Sequence, residues 1–158
     1  MHYLGVNYSI GAKPELDPGF IPFGVWMDAY LKDAKQPIAI AIERDRGQIS
    51  VRKTFIHGTP EMAAADYRYV ERLVKFLLWS IGGFKVYVCG CDDIAKKLQA
   101  DYSEHGKRAF DYDFFHKLYE RNLEIISLPL DQCPAAHETT RPLGGHMDGC
   151  RIGFDAGG

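Results

Sequence analysis

Asp155-Ala156-Gly157-Gly158 closes a short run, Arg151-Ile152-Gly153-Phe154, and that order of residue types suits a phosphate site. A strand that ends in a carboxylate and then two glycines brings bare backbone N–H groups close to anionic oxygens, because no Cβ intervenes. The carboxylate is placed to orient a divalent cation, or a water bound to it. Asp155, Gly157 and Gly158 are therefore the candidate cofactor-binding residues. The competing reading is a flexible glycine-rich tail, since Asp-x-Gly-Gly is a common pattern.

A second set is Cys133-x3-His137-x8-His146-x3-Cys150. Two cysteines and two histidines could close a tetrahedral zinc site, and the intervening glycines would permit the bends. The spacing matches no common zinc ribbon, so chance placement in a loop is the stronger reading.

Gly90 marks a third place. It separates an apolar run from Asp92-Asp93, where an α/β protein takes ligands at strand ends. Two carboxylates there complement a helix dipole and repel phosphate, so helix capping outweighs a ligand site. In the fourth set, Glu43-Arg44-Asp45-Arg46-Gly47, the acids again argue against a phosphate loop and for a solvated turn. Cys89 and Cys91 would share a strand face, yet a strained disulfide between them is not expected. His57, His105 and His116 lack recognisable partners and read as structural or surface residues. No catalytic residue is assigned.

The 158 residues amount to one domain, with 46% apolar and 25% charged residues and a net charge of −2. That is the composition of a globular protein with dispersed charge. It offers no basic stripe for nucleic acid and no membrane span. Four cysteines outside any regular framework, and no basic-then-apolar leader, point to a cytoplasmic chain.

The elements that must hold these residues follow from periodicity. Residues 2–8 alternate weakly, as a strand. Residues 11–22 form a loop, and 23–34 a short helix. Ile38, Ile40 and Ile42 alternate with Ala39 and Ala41; a turn at 43–47 leads to Ile49, Val51 and Phe55. This is a β-hairpin whose first arm is apolar on both faces and therefore an inner strand. Thr59-Pro60-Glu61 opens the longest helix, and Gly82-Gly83 ends it. A strand at 84–89, a helix from Asp92, a polar loop at 103–108, an aromatic helix at 109–122 and a strand at 123–128 follow. The fold class is α/β, a mixed sheet that begins with the hairpin and carries packed helices, with the later strands parallel. The aromatic residues around Trp79, Tyr112, Phe114 and Phe115 read as core or interface. Residues 131–150, rich in Gly and Pro without periodicity, read as a linker between an accessory domain at 1–130 and a new strand at 151–158.

Residues 151–158 resemble the first phosphate motif of the actin-like ATPase superfamily, in particular the ROK (repressor, open reading frame, kinase) family, whose pattern is Asp-x-Gly-Gly-Thr; the Thr is not in this sequence. The stretches 73–79, 85–88, 109–114 and 148–154 are similar to the N-terminal extension of large bacterial ROK-type proteins. The resemblance implies a parent that is an ATP- and Mg²⁺-dependent sugar kinase, with Asp155 near the metal and the Gly157 and Gly158 backbones on phosphate. The hairpin at 43–47 also resembles the opening hairpin of an actin-like domain, which would make 37–128 a degenerate copy of a ribonuclease H/actin-like fold that has lost its phosphate site; a solvated charged turn is the stronger reading. The general base, the sugar contacts and the second phosphate loop would lie downstream. The expectation is then a truncated accessory or regulatory portion, inactive in isolation. Its partner would be the downstream kinase domain, with homo-oligomerisation open. The alternatives are a non-catalytic interaction or dimerisation module, and a small-molecule sensor built around Gly90.

Overall fold

The structure is a computed structural model that describes residues 1–12, 14–139 and Gly149. Its first strands are a tight hairpin, β1 (His2–Tyr3) against β2 (Val6–Asn7), rather than the single strand expected at 2–8. Leu4 and Gly5 take positive φ, 49° and 80°, which is the backbone of a two-residue hairpin turn. α1 (Phe23–Leu31) follows and buries Trp26 and Tyr30. The Trp26 indole donates to the Tyr3 carbonyl at 3.0 Å, fastening the small hairpin to α1.

β3 (Gln36–Glu43) and β4 (Ile49–Ile56) form the expected long hairpin. Its turn passes through Arg46 and Gly47, both at positive φ. A 3-10 turn at Pro60–Met62 leads into α2 (Ala63–Ile81), so the helix begins later than Thr59-Pro60 suggests and Thr59 makes no side-chain cap. Gly82 ends it as the sequence reading requires, at φ 74° with its N–H donating to the Leu78 carbonyl at 2.9 Å. β5 (Lys85–Cys89), α3 (Asp92–Asp101), α4 (Ala109–Tyr119) and β6 (Glu124–Leu128) complete the order.

The four long strands make one mixed sheet in the order β4-β3-β5-β6. β3 runs antiparallel to both its neighbours, and β5 and β6 are parallel. The chain is thus α/β, and β3 is the inner strand its two apolar faces demand. Strand alternation sorts those faces. Ile38, Ile40 and Ile42 join Val86 and Val88 in the main core, where Val70, Val74 and Leu78 of α2 and Ile94 and Leu98 of α3 cover them. Trp26, Tyr30 and Tyr69 extend that core beneath α1.

Ala39, Ala41 and Cys89 point to the opposite face, and all three are fully buried. The segment after β6 covers them. A 3-10 turn at Leu130–Gln132 packs against β5, and the Leu130 side chain stands 3.4 Å from where a Cβ on Gly90 would lie. The chain then crosses to the far edge. There His137 and Ile49 exchange two backbone hydrogen bonds at 2.8 and 2.9 Å. Small side chains on that face leave room for a strap of backbone. Residues 131–139, assigned to a linker by sequence, make these contacts with the sheet; 140–148 and 150–158 lie outside the described residues.

Candidate functional site

Asp155, Gly157 and Gly158, with the whole of 151–158, lie outside the described residues, as do His146 and Cys150 of the zinc-type set. The other two members of that set are placed. Cys133 lies against the Cys89 thiol, and burial together with that contact pushes Cys89 up to about 12. His137 is engaged through its backbone on Ile49. Among the described residues no group of three or more His, Cys, Asp or Glu could hold a metal ion.

Gly90 takes φ 95° between β5 and α3. Asp92 and Asp93 occupy the first turn of α3, and the N-cap position, Cys91, makes no side-chain cap bond. Capping is thus by charge and not by a side-chain hydrogen bond. Asp92 pairs with Lys96 at 2.5 Å, and that partner, with Ser127, holds its carboxyl below the usual range. The position is occupied by carboxylates and does not make an anion cradle. Cys89 and Cys91 are both free thiols.

The tip of the hairpin turn, Asp45, Arg46 and Gly47, is exposed as expected, and its flanks are fastened. Glu43 accepts from the Tyr87 hydroxyl at 2.6 Å, Arg44 meets Glu138 of the strap at 3.0 Å, and Asp45 lies 3.8 Å from Arg121. His57 is structural: its ring Nε2 donates to the Tyr30 carbonyl at 3.0 Å.

Two buried polar clusters stand on α2. Asp66 accepts from the Tyr30 hydroxyl and from the backbone N–H groups of His57 and Gly58. Burial, then the Asp66 hydrogen bond, pushes the Tyr30 hydroxyl far up. One turn on, Glu71 pairs with Arg108 and lies 3.6 Å from Arg68. Asp111 of α4 meets Lys75 at 3.6 Å and accepts from the Trp79 indole at 2.6 Å. Burial opposes the Arg108 charge, but Glu71 beside it outweighs that and moves the guanidinium up. Tyr102 is buried next to this group, and its hydroxyl is raised by burial first and by Glu71 second. Both carboxylates have cationic partners, so neither is a free general base. The cluster ties α2 to the 102–108 loop and to α4.

A groove opens along the flank of α2. The helix's sheet-facing stripe needs only Val70, Val74 and Leu78, yet α2 carries further large apolar residues around its girth. With Phe23, Met27 and Leu31 of α1 these line the groove, of about 790 Å³, to which α2 contributes Leu73, Phe76 and Leu77. Arg52, Arg72 and Lys75 line the same groove, and no acidic residue does. Trp79 also lines the groove, and its ring stacks on Phe114 at 4.7 Å and on Phe110 at 6.4 Å. Phe76 is 66%, Phe110 72% and Leu118 57% exposed.

Sequence reasoning assigned the aromatic residues to core or interface without a groove. The signal that could have found it is the excess of apolar residues on α2, which outnumber one buried stripe. Among the described residues no helix is long and apolar enough to cross a membrane. Compared with family models, curated proteins and solved structures, the chain matches none of them.

Proposed function

We propose that this chain is a non-catalytic accessory portion of a larger, cytoplasmic ROK-like sugar kinase, which it positions or regulates without transferring phosphoryl groups itself. The reading joins the sequence resemblance at 151–158 to one observation on the described residues. A contiguous aromatic face, Phe76, Trp79, Phe110 and Phe114, is left 38–72% exposed on α2 and α4. Apolar patches of this kind belong to interfaces. The actin-like likeness of the sheet stays within the proposal; the hairpin followed by two parallel strands with helical crossovers is what supports it.

The resemblance assigns ATP and Mg²⁺ to the parent. The strand-to-helix turn at Gly90 carries Asp92 and Asp93, which weighs against phosphate there. In this proposal any such site lies on Asp155, Gly157 and Gly158, and no chemical step is drawn through it.

A dimerisation module is the second reading, favoured by the same exposed face. Two measurements test the proposal. A continuous ADP-release assay with Mg²⁺, ATP and a panel of hexoses is expected to show no turnover by this chain; turnover would overturn the accessory role. Hydroxyl-radical footprinting of Trp79, Phe110 and Phe114 compares the chain with the longest product of its gene. Protection in the longer form is expected. Equal labelling of both at all concentrations would remove the interface, and protection that appears in the chain alone at high concentration would favour dimerisation.

A further inference from the structure

The groove between α1 and α2 shares Phe76 and Trp79 with the aromatic face and adds charge to it. Its lining is mostly apolar, supplied chiefly by Phe23, Met27, Leu31, Leu73, Phe76 and Leu77. Its charged lining is wholly cationic: Arg52 projects from β4, and Arg72 and Lys75 from α2. Lys75 is partly neutralised by Asp111 at 3.6 Å. Arg52 and Arg72 have no carboxylate partner among the described residues, and Arg72 rests over the Phe23 ring at 5.5 Å. A chain of net charge −2 thus gathers two guanidinium groups that no carboxylate pairs among the described residues, and an ammonium, around one apolar trough.

Along α2 the lining runs from Tyr69 to Ser80. At the helical rise that is about 16 Å, or three turns of a partner helix. A helix laid in such a groove anchors through apolar residues at i, i+3, i+4 and i+7 and leaves its flanks at the rim. Carboxylates on those flanks would meet Arg52 and Arg72, and guanidinium groups bind carboxylates through paired N–H donors. We propose that this groove is a docking site for an amphipathic helix with acidic flanks. The inference rests on the interaction role above and adds the chemistry of the partner.

The probe is an acetylated amphipathic peptide of about 18 residues, with Leu at the four anchor spacings and Glu on the flanking positions. Twins carry Gln or Lys in place of Glu. Binding to the full chain is followed by calorimetry and by the fluorescence of Trp79, with Trp79→Phe identifying the reporter. The Glu peptide is expected to bind at least about tenfold more tightly than the Gln twin, and the Lys twin more weakly still. The preference should vanish in Arg52→Glu/Arg72→Glu and shrink between about 50 and 500 mM salt. Circular dichroism of that variant, and the milder Arg52→Gln, separate lost charge from lost fold. Equal binding of the three peptides, or none, overturns the proposal. So does tighter binding of dodecanoate than of the Glu peptide, which would make the groove a site for small anionic amphiphiles. A dimer seen by sedimentation and lost in Phe76→Asp would assign the groove to a second copy of the chain; it overturns the acidic helix and leaves the interaction role standing. Loss of the footprint on Phe110 and Phe114 would instead strike that role while the peptide result stood.

Discussion

The Tyr30 hydroxyl stands 2.6 Å from Asp66 Oδ1, and this contact joins α1 to α2 inside the core. Oδ1 also takes the His57 N–H at 3.0 Å, and Oδ2 the Gly58 N–H at 2.8 Å. One carboxylate therefore fixes three elements: the α1 helix, the end of β4 and the start of α2. Tyr30 also packs on Tyr69 at 4.9 Å, and Tyr69 lines the α1–α2 groove. A buried polar node thus stands behind one residue of the groove.

Removing one partner of that node should cost more than a single hydrogen bond is worth. Tyr30→Phe leaves Asp66 buried with one donor fewer, and a loss of about 1–3 kcal/mol is expected. Asp66→Ala frees three donors at once and should lose more than Tyr30→Phe. Urea denaturation of the two variants checks the order; equal losses would mean that the backbone donors find water instead.

Glu71 and Arg108 are the second test. Glu71 is 4% exposed and its charge is matched by Arg108. Arg108→Ala strands that carboxylate, with Arg68 at 3.6 Å as its remaining cation. Breaking a buried pair of this kind costs about 3–5 kcal/mol. The Glu71→Gln/Arg108→Met double variant removes both charges and should recover much of the loss, as a double-mutant cycle in chemical denaturation would show.

Much of this fold is legible in the sequence. The Ile-Ala alternation of β3 is a period-two pattern with no polar face, so an inner strand was readable there. Gly82 sits where a helix must stop. The node and the groove were not legible, because they depend on contacts distant in sequence: Tyr30 on Asp66, and Arg52 of a strand beside Arg72 of a helix. The strap was missed for a related reason. Its residues lack periodicity because each holds on by a different contact, Leu130 at Gly90, Cys133 at Cys89 and His137 at Ile49.

Alkaline pH should weaken the fold. Burial raises Cys89 from about 9 to about 12 and pushes the Tyr30, Tyr67 and Tyr102 hydroxyls up from about 10. Above its ordinary value each group has lost its proton in the unfolded chain and keeps it in the folded one. The unfolded state then binds fewer protons, so stability falls as pH rises. The contribution is complete below about pH 9 and is lost as pH rises through the folded values. Urea midpoints should hold between pH 7 and 9 and fall steadily by pH 11; Cys89→Ala should lessen the fall, while Cys91, which burial also raises, keeps the onset near pH 9.

Phe110 allows a surface substitution with opposite expectations for stability and binding. It is 72% exposed and stacks on Trp79 and Phe114 from outside. Phe110→Ser should change stability by about 0.5 kcal/mol or less. In the proposed role it should also abolish the footprint protection of Trp79. A large stability loss would show Phe110 to be part of the core.

Ala41 tests the strap. It is fully buried on the sheet face opposite α2, between Val51 of β4 and Tyr87 of β5. The strap crosses the same face and ends in the His137–Ile49 bridge. Ala41→Leu adds volume where a backbone segment passes, and overpacking of this kind costs about 1–3 kcal/mol. The strap has few anchors and should yield before the sheet does. The His137 amide, which donates to the Ile49 carbonyl at 2.9 Å, should then exchange its hydrogen faster, while the β3–β5 amides keep their protection. Uniform loss of protection would mean that the strap and the sheet open together as one cooperative unit.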